Sequence, residues 1–377
     1  MKNFKVVFIS IKYPSTNNPV SGIFVKEYAR AISLYHEVSV ITTEFNKEIK
    51  KLYKISDYTE DDIRVFRVSY SKSPIPKTTY LIYLWGILIA FRKLIKEGFT
   101  PDIIHANIYR AGIPAVFLGK IFNKPVVLSE HFSSFPRGMI KGIEKLKVRF
   151  ALNRVSLITT VSCDLSNHIK KYGVRNTFKV VPNAVNTQIF YPHIDKKLDA
   201  NKKLLLVALF NPIKGIPYLL RAISTVKEKR NDFTLDIVGD GTYRKKYEKY
   251  VDELGISDKV KFHGLKNKVE VAQFMRNADI FVLPSIWENL PCVLIEALAS
   301  GLPVITTSVG GIPEIFNEDF GILIKPKDIK ELRDAILYML ENYKKYSKEK
   351  IHDYAKTHFS YESIGKQFDE IYNELLK

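Results

Sequence analysis

Cysteine is nearly absent from this 377-residue chain: only Cys163 and Cys292 occur, far apart and in no metal or redox spacing. That excludes a disulfide framework and points to a reducing compartment. Long hydrophobic runs are missing as well. The longest membrane-like stretch runs from Tyr80 to Phe91, whereas a spanning helix needs about 20 residues. The start, Met1 to Ser10, has a short buried-strand pattern without the longer apolar region and cleavage site of a signal peptide, so neither a leader nor a spanning segment is expected. No Asp-x-Asp pair and no His/Cys cluster with ligand spacing occurs, and no metal requirement is expected.

Acidic residues are scarce in one half only. Residues 1–190 carry 29 Lys+Arg against 13 Asp+Glu, a net +16, while residues 191–377 carry 29 against 27, a net +2, which together make the overall +18. Such asymmetry implies an acidic partner of the first half: an anionic membrane surface, a nucleic acid or an anionic acceptor. The basic residues are scattered and no zinc-finger or RNA-recognition module appears, so charge alone supports a nucleic-acid partner and none is expected.

What is present is a globular composition, 46% hydrophobic, on a chain long enough for two domains. Short buried-strand candidates alternate with helical patterns. In the first half, Phe4–Ser10 and Glu37–Thr43 bracket a helix at Val25–Leu34. Asp102–Ala106, Pro125–Ser129, Ser156–Val161 and Lys179–Asn183 follow. Tyr191 to Lys203 is polar and reads as a linker. The second half restarts at Leu204–Ala208, followed by a helix from about Ile216 to Lys229. Strands are then expected at Phe233–Val238, Val260–Phe262, Ile280–Leu283, Val304–Thr306 and Gly321–Ile324. This alternation predicts α/β architecture with parallel, doubly wound sheets. Domains are expected at 1–190 and 191–357, with a closing helix at about 358–377.

The most informative stretch is Trp287-Glu288-Asn289-Leu290-Pro291-Cys292-Val293-Leu294-Ile295-Glu296-Ala297. It lies between a strand pattern and a helix that stops at Gly301 and Pro303. Glu288 falls at the strand's carboxyl end, where open α/β sheets bind ligands. A carboxylate accepts two hydrogen bonds at once and suits a vicinal diol. Between the two acids the helix start offers backbone N–H groups and a dipole that favour phosphate, from Asn289, Leu290, Cys292 and Val293, since Pro291 has none. Diol, diphosphate and diol thus map in order onto one loop. Two solvated glutamates would show the same spacing, but Glu296 sits inside an apolar run where a free carboxylate is costly.

This segment resembles the Glu-x7-Glu motif of retaining GT-B glycosyltransferases, family 4, and the resemblance extends over essentially the whole chain. It implies two Rossmann-like domains facing each other across a cleft, the first binding acceptor and the second the nucleotide sugar, with the last helix crossing back to the first domain. It assigns Glu288 to the donor hexose and Glu296 to the ribose. Lys214, in Lys214-Gly215, is then placed to neutralise the diphosphate leaving group, although it could equally be one more surface lysine. The family's Gly-Arg pair a few residues earlier is Ala208-Leu209 here, a departure that leaves more to Lys214 and the helix start. Gly22 matches a glycine loop that approaches phosphate, or marks only a turn. His131 matches a histidine lining the donor-sugar site, against a structural role, and His105 reads as structural or supporting. Gly264 and Leu265 match a loop at the nucleobase, or are turn residues. The catalytic set is therefore Glu288, His131 and Lys214.

The resemblance implies transfer of a hexose, with retention, from a UDP- or GDP-sugar to a hydroxyl of a glycan, polysaccharide precursor or lipid-linked acceptor. Sugar-nucleotide epimerisation on the same fold is one alternative, and a basic nucleic-acid-binding protein, supported by charge alone, is the other. Neither cofactor nor metal is expected. The protein is expected in the cytoplasm, peripheral on the inner face of the membrane through its basic half. Of two candidate segments, Met139–Phe150 reads as a basic amphipathic helix suited to a membrane surface. Tyr80–Phe91 is apolar nearly all round and reads as a core helix.

Overall fold

The computed structural model describes residues 3–16, 18–49, 51–71, 79–193 and 200–377; part of the expected linker, 194–199, lies outside them. The chain divides into two compact units, Met1–Ala184 with Tyr361–Lys377, and Val185–Ser360. Sequence had placed the boundaries at 190/191 and 357/358.

The first unit begins β1 (Lys5–Ser10), α1 (Ile23–Ser33), β2 (Glu37–Phe45), β3 (Tyr53–Glu60), β4 (Ile63–Tyr70), α2 (Thr79–Lys96), β5 (Ile103–Asn107) and α3 (Tyr109–Phe122). It continues with β6 (Val126–Glu130), α4 (Ile143–Leu152), β7 (Leu157–Thr160), α5 (Cys163–Lys170) and β8 (Phe178–Val180). The strands order as β3-β4-β2-β1-β5-β6-β7-β8, parallel throughout except for the β3–β4 pair. Runs such as Val6-Val7-Phe8-Ile9 are fully buried because helices cover both faces of the sheet. The β3–β4 hairpin is absent from the sequence expectation. Its turn residues Asp61 and Asp62 both take positive φ, 51° and 61°, without the Asn-Gly or Asp-Gly pair that usually marks such a turn.

The second unit comprises β9 (Lys202–Val207), α6 (Ile216–Lys227), β10 (Phe233–Val238), α7 (Arg244–Glu253), β11 (Val260–Phe262), α8 (Lys268–Asn277) and β12 (Ile280–Leu283). Then come α9 (Cys292–Ala299), β13 (Val304–Thr307), α10 (Ile312–Ile315), β14 (Gly321–Ile324), α11 (Ile329–Asn342) and α12 (Lys348–Phe359). The strand order is β11-β10-β9-β12-β13-β14, all parallel. Caps explain several helix starts: Asn267 and Glu270 form a reciprocal capping box on α8, and the Asp328 carboxylate accepts from Glu331 N–H on α11.

The last helix, α13 (Tyr361–Leu375), belongs to the first unit. Its Ile364, Phe368, Ile371 and Tyr372 join the core formed by α1 and the central strands. A Cβ at Gly365 would lie 2.2 Å from the Ala31 carbonyl oxygen, so glycine is what lets α13 lie close on α1.

The reading of the Tyr80–Phe91 segment as a core helix needs correction. In α2, Tyr83, Ile87, Ala90, Phe91 and Leu94 are buried, but Leu81 and Trp85 are more than half exposed. One side of the helix packs on the sheet, while Leu81 and Trp85 on another side face a groove shared with α3.

Candidate functional site

Each sheet has one place where the strand order reverses away from its first strand. In the second unit this is between β9 and β12, and α/β sheets bind ligands beyond the carboxyl ends of strands at such a point. Two loops leave the sheet there. After β9 the chain makes a short 3-10 turn, Pro212–Lys214, whose Asn211 side chain accepts from Ile213 N–H at 3.1 Å. Gly215 follows with φ 70°, and a Cβ there would lie 1.9 Å from the Pro284 carbonyl oxygen. Only glycine lets this turn press against the end of β12. Ile286 N–H donates to the Ile213 carbonyl at 2.7 Å and ties the two loops together.

This clamp brings together two of the residues singled out from sequence. Lys214 Nζ donates to Glu288 Oε1 at 2.6 Å, and the Ser285 hydroxyl donates to the same oxygen at 2.7 Å. Lys214 and Glu288 side chains are 17% and 9% exposed, so the pair is largely withdrawn from water yet still reachable. Ser285 is positioned in turn by Thr307, whose hydroxyl donates to its carbonyl at 2.6 Å.

Beyond Glu288, Asn289 and Leu290 are buried, and the Asn289 carbonyl accepts from Gly311 N–H at 2.6 Å. Pro291 is the extended residue before α9, and Cys292 and Val293 open the helix half-buried. Glu296 is buried on α9 among apolar neighbours, and Lys268 Nζ sits 3.4 Å from its Oε1. That cation answers how the carboxylate is tolerated in an apolar run. Gly264 and Leu265 follow β11. Gly264 accepts from Gly239 N–H at 2.8 Å, and Leu265 is exposed. Leu209, standing where an Arg was expected, is also exposed. Arg244 lies beside Gly264, bonded to Asp240 at 3.0 Å and Glu248 at 2.8 Å.

Gly22 and His131 belong to the first unit. Gly22 precedes α1 with φ 68°, and a Cβ there would meet the Lys12 backbone at 2.4 Å, so its own chain already accounts for the glycine. His131 follows β6, stacked on Phe24 with ring centroids 4.1 Å apart. Desolvation pushes its imidazolium down to about 3, against an opposing hydrogen bond with Asn183, so the ring is neutral near pH 7. His105 is fully buried between Tyr372 Oη and Ser129 Oγ, each 2.6 Å away, and is likewise pushed down to about 3 by burial.

Sequence reasoning missed Ser285, Lys268 and, in the first unit, Glu130. Fully buried Glu130 accepts from the backbone N–H groups of Tyr109, His131 and Phe132 at 2.8 to 2.9 Å. It thereby holds the loops after β5 and β6. The residue before Tyr109, Ile108, has φ 68°, a value a β-branched residue rarely takes. Burial raises the Glu130 carboxyl from 4.5 to about 7, with the three N–H bonds opposing. A glutamate adjoining His131 was the available signal. Among the described residues, no group of three or more His, Cys, Asp or Glu is placed to hold a metal ion.

The Lys–Glu pair stands where open parallel α/β sheets bind ligands, and comparison with known proteins supplies the class. Residues 22–189 match the family described as Glycosyltransferase Family 4, and residues 190–358 match Glycosyl transferases group 1. An uncharacterized glycosyltransferase of Methanocaldococcus jannaschii is 30% identical over 79% of this chain and 81% of its own. The Escherichia coli UDP-Gal:alpha-D-GlcNAc-diphosphoundecaprenol alpha-1,3-galactosyltransferase is 27% identical over 79% and 80%. The crystal structure of Anabaena HepE in complex with UDP and glucose superposes with a TM-score of 0.76 over 99% of this chain and 100% of its own, at 19% identity, and shows the shared GT-B fold. The chain belongs to the family 4 glycosyltransferases and has the GT-B fold.

Proposed function

We propose that the chain transfers a hexose, with retention, from a UDP- or GDP-sugar to a hydroxyl of a glycan, polysaccharide precursor or lipid-linked acceptor, without a metal. The observation that carries this reading is the Lys214–Glu288 contact at the switch point. It supports the reading because a cation and a two-oxygen acceptor meet at the ligand-binding end of the sheet, suited to a diphosphate and to sugar hydroxyls. Glu296 takes the ribose diol, the start of α9 at Cys292 and Val293 meets the diphosphate, and Glu288 takes hexose hydroxyls.

Donor binding exchanges partners in this scheme. The Lys214 ammonium turns from Glu288 to the phosphate, and Glu288 is released to accept from the sugar. The glycosidic C1–O bond to phosphate breaks as C1 bonds the acceptor oxygen on the same face, and a donor phosphate oxygen takes the acceptor's proton. No protein base is needed, and Lys214 offsets the charge that grows on the diphosphate. His131, neutral, serves as a hydrogen-bond partner for a sugar hydroxyl. The acceptor of the E. coli relative is a diphosphoundecaprenol lipid. This supports a lipid-linked acceptor here, met by the basic first half at the inner face of the cytoplasmic membrane.

A thermal-shift panel of nucleotide sugars tests the donor. A true donor at a hundred times its Kd stabilises the protein by about 2.7 kcal/mol. The matching transfer reaction should survive EDTA and yield a product with the donor's anomeric configuration by NMR. Inverted product overturns retention, and an epimer formed from donor alone overturns transfer.

A further inference from the structure

Between α2 and α3 runs a groove of about 600 Å3 whose lining includes no charged side chain. Leu52, Leu81, Trp85, Phe117 and Ile121 line it, and each is more than half exposed. The apolar surface does not stop there. The Phe117 ring lies 5.6 Å from Phe150 on α4, and Phe150, Leu146 and Ile143 share one face of that helix by their spacing. Ile143 and Leu146 are 69% and 62% exposed. Lys147 Nζ sits 5.2 Å over the Tyr80 ring and links α4 back to the start of α2. Single exposed apolar side chains are ordinary, but a connected band over three helices marks an interaction surface.

Charge identifies the partner. Lys51 and Lys54 flank Leu52 and Tyr53, Lys120 precedes Ile121, Lys141 and Lys145 flank Ile143, and the Arg154 guanidinium lies 4.4 Å over Phe150. Residues 110–179 hold 13 Lys+Arg against 3 Asp+Glu, a net +10. A second copy docking through this face would set like charges against each other. An anionic bilayer meets both requirements, with hydrocarbon for the band and phosphates for its cationic border. We propose that the α2–α3–α4 face seats the first unit on an anionic phospholipid membrane, with acyl chains entering the groove and Trp85 at headgroup depth. This rests on the membrane contact proposed above and is independent of the transfer chemistry.

The chain has two tryptophans, so Trp287→Phe leaves Trp85 as a reporter within the face. With phosphatidylglycerol vesicles, Trp85 emission should move to the blue and be quenched by brominated acyl chains. Phosphatidylcholine vesicles should do neither. Leu81→Gln with Ile121→Gln, both at exposed positions, should lower vesicle partitioning about tenfold or more, with thermal unfolding unchanged. If the wild-type chain does not sediment with phosphatidylglycerol vesicles at low salt, the membrane contact itself is wrong. If it sediments while Trp85 stays unquenched and the double variant binds normally, the contact stands and this face is not the seat. If the double variant instead turns a dimer into a monomer, the face joins two copies and the inference is overturned.

Discussion

Lys214 and Glu288 are 74 residues apart in sequence and share a 2.6 Å contact. Removing one partner of a largely buried ion pair leaves the other charge uncompensated, so each group matters to the other before any substrate arrives. Lys214→Ala and Glu288→Gln should each lower kcat/KM by roughly 100- to 1,000-fold. The double variant should lose less than the product of the two effects, because they act as one unit. Steady-state kinetics with the identified donor checks this, and full additivity would show that the two do not cooperate. Glu296→Ala, assigned to the ribose, should act mainly on donor KM. Glu288 and Glu296 stood out from residue type and spacing, and Lys214 from the family resemblance. Ser285 and Lys268 did not: one looked like a strand terminus and the other like any helix-start lysine. Ser285 meets Glu288 through the conformation of the loop after β12, and Lys268 meets Glu296 only because the fold brings the start of α8 to α9.

At the scale of elements, the parallel strands and their helices were legible because buried runs of β-branched residues and helical periodicity are strong local signals. The β3–β4 hairpin was not, because its Asp61-Asp62 turn lacks the usual residues. The exposure of α2 was not legible either, since a helix apolar on all sides does not announce which side the sheet will cover. The apolar face of α13 was plain from its spacing. Phe368 on α13 is fully buried, edge-on to Tyr28 with centroids 5.0 Å apart. Phe368→Ala should destabilise the first unit by about 3 to 5 kcal/mol, read from urea unfolding. A loss under 1 kcal/mol would mean that α13 is only loosely attached to that core.

For the molecule as a whole, the buried titratable groups of the first unit set a dependence on pH. His105 and His131 have folded values depressed by burial, and His36 is also lowered by desolvation. Their contribution is present above about 6.5 and is lost as pH falls from there toward 3. Glu130 has the opposite sign. Raised from 4.5 to about 7, it contributes most below 4.5 and loses that contribution as pH rises toward 7. The histidines outnumber it, so the first unit should lose stability on acidification below 6.5. Glu130→Gln removes the opposing trend and should steepen that loss by up to about 1.4 kcal/mol per pH unit between 4.5 and 7. Urea titrations at pH 7 and 5.5 would measure this, and equal slopes would show that Glu130 does not hold its proton.

Residue types and spacings were sufficient for two α/β domains, for the acidic pair around the start of α9, and for a basic first half, since these depend on local pattern and composition. The Lys214–Glu288 contact, the cation that answers Glu296, the hold of Glu130 on two loops and the open side of α2 required packing. Each depends on which distant segments the sheets bring into register, and local periodicity carries no record of that.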